Sequence, residues 1–330
     1  MRRKSSLEQF AKSATFPLLV SGATLITLEL GRRLFRHTQL FCPTSEPLVS
    51  WDPQDYGLER RHVDEMWIET DDGEVLHAWY CRAEKPIASA LYFHGNTGNL
   101  THFVDVMPHF VAAGIIVLIF DYRGFGRSSG IPTLHGVIDD GICAARFHEK
   151  LRPKGVPSML YGYSLGGAIA AQVIRHHSFD GFVLQSTFTT LPEIARAAFP
   201  KLPVHLIAGR IFDTMSVVRT LKVPLLVLHG TDDETCPCWM AHKLYDACEA
   251  PWKRIHAVDG GMHKDLFARD CENIVWTINR FAVDLPRNQH DVALPPSITD
   301  QIVDAAFRWV RRHLRRRPEL ANAVIRSARF

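Results

Sequence analysis

The stretch Gly162-Tyr163-Ser164-Leu165-Gly166 joins a short apolar run, 159–161, to an apolar run of helical length, 165–176. A serine between glycines at such a junction is typical of a sharp strand-to-helix turn, because glycine lets neighbouring backbone approach closely. The turn strains the serine backbone and projects its hydroxyl at the N-terminus of the helix, where the helix dipole favours an anion. The pentapeptide therefore predicts a nucleophile, Ser164, in a chain that alternates strands with helices.

The sequence on both sides of this turn continues the alternation. Short β-rich or apolar runs predict strands at 66–70, 75–81, 90–93, 115–120, 159–161, 182–184, 225–228 and 255–258. Longer runs with apolar residues at helical spacing predict helices at 134–151, 165–176, 240–250 and 272–281. This order favours an α/β fold with a mainly parallel sheet and helices on both faces. The hairpin sequence Asp71-Asp72-Gly73 makes the first strands antiparallel, and the proline-interrupted residues 188–222 predict a small helical cap.

Composition narrows the class of protein. The chain has 330 residues, 46% hydrophobic and 22% charged, which is typical of a folded globular protein. Seven cysteines without repeated spacing argue against a disulfide framework and favour a reducing compartment. The sequence Cys236-Pro237-Cys238 with His242 matches no standard zinc spacing, so we expect no metal and no cofactor.

A nucleophilic serine requires a histidine base and an acid that orients it. The chain supplies candidates in the order Ser, Asp, His, each just after a predicted strand: His229-Gly230-Thr231-Asp232-Asp233 and then Gly260-Gly261-Met262-His263. The ends of parallel strands are the edge at which open α/β sheets bind ligands. His263 is therefore the expected base, while strand periodicity leaves Asp232 and Asp233 both open as the acid.

The chemistry also requires donors for a tetrahedral oxyanion, usually two backbone N–H groups. One is expected from Leu165, directly after the nucleophile. The other is expected from the loop His94-Gly95-Asn96-Thr97-Gly98-Asn99, which follows the predicted strand 90–93. Glycines in that loop let an N–H turn inward, and Asn96 is the predicted second donor.

Five motifs in fixed order resemble those of the small-cap α/β hydrolases over roughly residues 60–285. They are His94-Gly95-Asn96, Asp121-Tyr122-Arg123-Gly124-Phe125-Gly126-Arg127-Ser128, the Ser164 pentapeptide, His229-Gly230-x-x-Asp233 and Gly261-x-His263. That group includes serine-aminopeptidase-like hydrolases and membrane-associated depalmitoylating hydrolases. The resemblance implies the α/β-hydrolase fold, with Asp233 as the triad acid and the 121–128 motif as a structural segment. Cys236, where such proteins usually have valine, is a departure of similar volume.

The expected function is that of a serine hydrolase that cleaves a carboxylic ester or thioester through an acyl-enzyme. Two alternatives stay open, because the fold hosts many functions. An aminopeptidase-type peptidase would need an acidic group for the substrate amine, for which Glu193 in the predicted cap is a candidate. A non-catalytic binding protein with this fold is the other alternative, and the filled triad positions argue against it.

The two ends of the chain differ from the hydrolase domain at 61–285. Within residues 1–60, the apolar run 14–28 lies between basic residues, which predicts a membrane anchor, an in-plane amphipathic helix, or a helix packed on the hydrolase body. Residues 286–330 predict a basic amphipathic helix with Arg308, Arg311, Arg312 and Arg315 on one side. Three placements stay open for it: on an anionic membrane surface, against a partner, or packed by its apolar side on the core with a solvated basic face, which is the default for an amphipathic helix. We therefore expect a lipid-like or small acyl substrate, contact with a membrane surface through both ends, a cytoplasmic catalytic domain, and no nucleic-acid partner.

Overall fold

One large sheet organises the residues that the computed structural model describes, which are 40–201, 211–250 and 252–285. The strands in chain order are β1 (Cys42–Pro43), β2 (Val63–Glu69), β3 (Val75–Cys81), β4 (Ala88–Phe93), β5 (Thr97–Gly98), β6 (Ile115–Phe120), β7 (Ser158–Tyr163), β8 (Gly181–Gln185), β9 (Leu225–Gly230) and β10 (Lys253–Val258). Eight of them form the main sheet in the order β10-β9-β8-β7-β4-β6-β3-β2, and β1 pairs with β5 apart from it.

The pairing directions follow the sequence pattern. β2 and β3 are antiparallel, as are β3 and β6, while every other neighbouring pair in the large sheet is parallel. The prediction of a mainly parallel sheet that begins with antiparallel strands is confirmed. After β6 the chain passes β4 and continues on its other side with β7. The carboxyl ends of β4 and β7 therefore meet at the point where ligands bind in open α/β sheets.

Helices cover both faces of this sheet. They are α1 (Met107–Ala112), α2 (Gly136–Leu151), α3 (Leu165–Val173), α4 (Leu191–Ala198), α5 (Thr214–Val218), α6 (Trp239–Ala247) and α7 (Leu266–Val283). One apolar cluster packs α2, α3, α5 and α6 on one face of the strands, and a second packs α1 and α7 on the other. Alternate residues of a strand join opposite clusters, as Leu118 and Ile119 of β6 do, because strand side chains alternate between faces.

Most element boundaries shift by a few residues from the sequence prediction. The largest difference is at α7, which was expected at 272–281 and begins at Leu266. Asp270 has non-helical backbone angles (φ −140°, ψ 41°), so the first turn is separated from the rest by a kink that periodicity does not reveal. In the predicted cap, α4 is present and α5 packs against α3 and α6. Residues 202–210 of that cap lie outside the described residues.

Residues 41–48, here called the N-terminal strap, lie against the α/β domain. β1 within the strap pairs in parallel with β5, and Phe41 is buried with its ring edge-on to Phe125. The apolar run 14–28 and the predicted C-terminal helix within 286–330 lie outside the described residues. Of the helices that the structure does describe, none is long and apolar enough to cross a bilayer.

Candidate active site

Ser164 occupies the turn between β7 and α3 in a conformation that L-residues rarely adopt (φ 55°, ψ −122°). Three hydrogen bonds hold its backbone: its N–H donates to Gln185 O at 2.9 Å, and its carbonyl accepts from Gly167 N at 3.0 Å and from Thr187 Oγ1 at 2.7 Å. A strained backbone conformation persists only when surrounding contacts hold it, and these hydrogen bonds do so for Ser164. Only 7% of Ser164 is exposed.

The structure brings the side chains of Ser164, His263 and Asp233 into one line. His263 Nε2 lies 3.0 Å from Ser164 Oγ, and His263 Nδ1 lies 2.8 Å from Asp233 Oδ2. A carboxylate can only accept, so Nδ1 carries a proton and Nε2 is the nitrogen that can accept the proton of the serine hydroxyl. Asp232, the other candidate acid, is exposed and makes no contact with His263 in the described hydrogen bonds.

Asp233 is held as an anion by its surroundings. Its Oδ1 accepts from Thr235 N at 2.9 Å and from Cys236 N at 2.7 Å, and His229 Nε2 lies 3.3 Å from Oδ2. Burial alone raises the pKa of the Asp233 carboxyl, but the hydrogen bonds from His229, His263 and Cys236 outweigh it. The pKa of Asp233 therefore lies well below its usual range.

The predicted oxyanion donors lie on adjoining segments. The start of α3 touches the end of β4: a Cβ on Gly166 would lie 2.2 Å from Phe93 O and 2.4 Å from His94 O, so this position accepts glycine alone. The following residues, 94–99, form the loop that carries Asn96. Within the described hydrogen bonds, the N–H groups of Asn96 and Leu165 have no acceptor.

A buried cluster of His77, His94 and Asp121 holds the 94–99 loop in place. His94 Nδ1 donates to Gly95 O at 2.8 Å, and His94 Nε2 lies 3.3 Å from the buried carboxylate of Asp121. Asp121 Oδ1 accepts from Leu100 N at 2.6 Å, and His77 Nδ1 lies 3.6 Å from Oδ2. Burial raises the pKa of Asp121, but the two imidazoles outweigh it and lower that pKa. Asp121 thus acts on the loop, at a distance from Ser164.

Several contacts around Ser164, His263 and Asp233 were not predicted from the sequence. The hydroxyl of Tyr163 donates to His263 O at 3.0 Å, and its ring lies 5.4 Å from the His263 ring. His229 Nε2 donates to Cys236 O at 2.7 Å, which closes the loop that presents Asp233. Thr187 holds the Ser164 carbonyl. His229 is the first residue of the His229-Gly230-x-x-Asp233 motif, so the sequence carries a signal for it. The partners of Tyr163 and Thr187 depend on packing between distant segments, which no local pattern indicates.

The other residues that the sequence analysis considered for binding or metal ligation have different contacts in the structure. Glu193 in α4 accepts from Lys243 Nζ at 2.5 Å and from the Thr189 hydroxyl. Cys236 is buried, and its N–H, not its thiol, contacts Asp233. In the ranges that the structure describes, no group of three or more His, Cys, Asp or Glu side chains is arranged to hold a metal ion. All seven cysteines are free thiols.

The sequence of this chain is similar to those of several known proteins. Residues 84–220 match the family described as serine aminopeptidase, S33. The uncharacterized protein YfhR of Salmonella typhimurium is 28% identical over 243 residues, covering 68% of this chain and 82% of that protein. The uncharacterized membrane protein YNL320W of Saccharomyces cerevisiae is 29% identical over 233 residues, covering 64% and 80%. The α/β hydrolase domain-containing protein WAV2 of Arabidopsis thaliana is 28% identical over 240 residues, covering 66% and 77%.

Solved structures share the fold. The esterase Pf2001 of Pyrococcus furiosus superposes with a TM-score of 0.61 at 19% identity, covering 74% of this chain and 97% of that one. Est1E of Butyrivibrio proteoclasticus, solved with ferulic acid bound, superposes with a TM-score of 0.56 at 19% identity, covering 67% and 98%. At this level of identity the likeness establishes the architecture of the chain.

Proposed function

We propose that this chain, a member of the α/β-hydrolase superfamily, is a serine hydrolase that cleaves carboxylic esters or thioesters through an acyl-enzyme. The observation that carries the proposal is the continuous hydrogen-bonded line from Ser164 through His263 to Asp233, with Ser164 in a strained turn. A serine hydroxyl alone is a weak nucleophile, and this arrangement supplies both a base and an acid that orients the base. The esterases among the structural neighbours support the same reaction class.

In the proposed mechanism, His263 Nε2 takes the hydroxyl proton while Ser164 Oγ attacks the substrate carbonyl carbon. The carbonyl oxygen becomes an oxyanion, which accepts hydrogen bonds from the N–H groups of Leu165 and Asn96. Collapse expels the alcohol or thiol, which takes the proton from His263. Water, deprotonated by the same imidazole, then attacks the acyl-enzyme and releases the acid and Ser164.

The surroundings of Glu193 disfavour the aminopeptidase alternative. A carboxylate that anchors a substrate ammonium group should be free to face the site. Burial raises the pKa of Glu193, but the hydrogen bond from Lys243 outweighs it and lowers that pKa, so Glu193 is an anion whose charge Lys243 already neutralises. We therefore favour an ester or thioester over an aminoacyl peptide as substrate.

A fluorophosphonate probe tests whether Ser164 is activated, and it separates an enzyme from a binding protein. We expect the wild type to be labelled and Ser164→Ala to be unlabelled, with turnover of p-nitrophenyl butyrate lower by roughly a million-fold. Ser186→Ala is a matched control, because Ser186 is also buried at positive φ and its hydroxyl has no hydrogen-bond partner in the described structure. Labelling of Ser164→Ala at the wild-type rate would refute the assignment.

The leaving group needs a second measurement, because a labelled serine does not identify the substrate. Hydrolysis of matched butyryl esters, butyryl thioesters and aminoacyl amides by the wild type would separate the classes. We expect esters or thioesters to be cleaved with the higher kcat/KM. Preferential cleavage of the aminoacyl amides would instead support the peptidase alternative despite the Glu193–Lys243 pair.

Membrane association is also part of the proposal. Its support is the basic-flanked apolar run 14–28, the basic pattern within 286–330, and a yeast relative that is named a membrane protein. These segments lie outside the described residues, so the support comes from sequence and from the relative. On this basis the acyl substrate is expected to be lipid-like.

A further inference from the structure

Two peptide groups flank the α-carbon of Asn96, and the carbonyl of each accepts one hydrogen bond. The Gly95–Asn96 peptide contains the Gly95 carbonyl, which accepts from His94 Nδ1 at 2.8 Å. Because a trans peptide places its C=O and N–H on opposite sides, this bond also fixes the direction of the Asn96 N–H. The following peptide contains the Asn96 carbonyl, which accepts from Cys42 N at 2.8 Å.

Cys42 belongs to the N-terminal strap, and the strap meets the 94–99 loop at several further points. Thr44 N donates to Gly98 O at 3.0 Å, which completes the β1–β5 pairing. The buried amide of Asn99 donates from Nδ2 to Glu46 O at 2.6 Å and to Thr44 O at 3.2 Å. The loop therefore has the strap on one side and the start of α3 on the other.

The strap is itself anchored on the hydrolase body at both ends. Phe41 is 5% exposed and packs on Phe125, and Thr44 O accepts from Gly126 N at 2.9 Å. Leu48 N donates to Thr101 Oγ1 at 2.8 Å. An extended segment with these anchors cannot shift without breaking several contacts, so it forms a rigid support.

We propose that the N-terminal strap positions the oxyanion donor, with the backbone N–H of Cys42 as the positioning group that holds the Asn96 peptide in line with Ser164. The inference rests on the proposed function, because it assigns the Asn96 N–H to the oxyanion. The exposed Cys42 side chain has no part in it.

The test compares Cys42→Pro with Cys42→Ser in the full chain, assayed on p-nitrophenyl butyrate. Proline removes the N–H donor, and Pro43 already restricts residue 42 to the β and polyproline regions of backbone space, the latter of which proline also adopts. Serine keeps the donor. We expect Cys42→Pro to lower kcat at least about 10-fold with KM within roughly two-fold, because a misplaced donor weakens binding of the transition state alone. Cys42→Ser should keep the wild-type kcat.

The pH–rate profile separates positioning from general damage. The triad is untouched, so the profile of Cys42→Pro should keep its position on the pH axis while its plateau falls. A kcat for Cys42→Pro within two-fold of Cys42→Ser would overturn the proposal, provided that Ser164→Ala abolishes turnover. If Ser164→Ala is instead as active as the wild type, the proposed function fails first.

Phe41→Ala covers the case in which Cys42→Pro does not fold. Loss of the Phe41 ring loosens the strap at its anchor and leaves the N–H of Cys42 and the whole loop intact. A decrease in kcat of about three-fold or more at unchanged KM would support the strap, since an interaction lost only in the transition state lowers kcat and not KM. An unchanged kcat in a folded Phe41→Ala protein would overturn it.

Discussion

The carboxylate of Asp233 is buried and accepts two backbone N–H groups besides the His263 ring, whereas the carboxylate of its neighbour Asp232 is exposed. The pKa of Asp233 is lower in the folded protein than in the unfolded chain, where it is about 4, so the ionised carboxylate stabilises the folded state. This contribution to the free energy of unfolding is present above about pH 4 and is lost as the pH falls through the folded-state pKa. Asp233 therefore remains ionised throughout the neutral and mildly acidic range. Only this residue of the pair can fix the His263 tautomer.

Asp233→Asn and Asp232→Asn make a matched pair for testing this role. We expect Asp233→Asn to lower kcat by roughly 10⁴-fold, because the amide can donate to Nδ1 and stabilise the wrong tautomer of His263. Asp232→Asn should keep kcat within about two-fold, since its carboxylate contacts only Thr231 within the described hydrogen bonds. Steady-state kinetics on p-nitrophenyl butyrate would measure both. Comparable losses in the two variants would contradict the assignment of Asp233.

At the level of elements, a buried histidine joins a helix to the sheet. His148 in α2 is 1% exposed, its Nε2 lies 2.8 Å from Ser89 Oγ in β4, and its ring stacks on Phe179 at 6.1 Å. Burial lowers the pKa of His148 to about 3, so the folded protein holds the ring neutral. In the unfolded chain the same ring is protonated below about pH 6.5.

This difference predicts acid sensitivity of the fold. Between about pH 6.5 and pH 3 the unfolded chain binds one more proton at His148, so stability falls by up to about 1.4 kcal/mol per pH unit as pH is lowered. His148→Gln should remove this contribution, and His176→Gln, at an exposed histidine, should not. Urea unfolding at pH 7.5, 6.5, 5.5 and 4.5 would give the slopes. Equal slopes in the wild type and His148→Gln would show that His148 is not held neutral.

The elements differ in how far local sequence predicts them. The turn at Ser164 and the hairpin before β3 depend on glycines and neighbouring apolar runs, and both lie where the sequence indicates. β1 and β5 are two residues each and pair across more than fifty positions, so no local period marks them. The partners of Thr187 and Tyr163 arise in the same way, from packing between distant segments. Asp270 separates the first turn of α7, which was not predicted, from the helix that was expected from residue 272.

For the molecule as a whole, the elements that carry the candidate site come together because successive crossovers place the ends of β4, β7, β9 and β10 at one edge of the sheet. Gly230 shows how closely they approach: a Cβ there would lie 2.1 Å from Gly261 O, in the loop that carries His263. The strap adds a contact from the N-terminal side of the chain. The site is thus assembled from segments that span most of residues 41–263, which explains why single motifs predict its residues but not its geometry.

The basic C-terminal segment supplies the last prediction, at the scale of the whole chain and its surroundings. If Arg308, Arg311, Arg312 and Arg315 face an anionic bilayer, each contributes about 1 kcal/mol of attraction near the surface. Replacing all four with Gln should weaken binding to vesicles that contain phosphatidylserine by roughly 100-fold or more, as measured by flotation. The same number of charges removed from exposed positions of the body, Lys154, Lys201, Arg219 and Lys222, should leave flotation nearly unchanged. Equal losses of vesicle binding in both variants would show that binding depends on net charge and not on the C-terminal segment. If neither variant loses binding, the N-terminal segment is the remaining candidate for membrane contact.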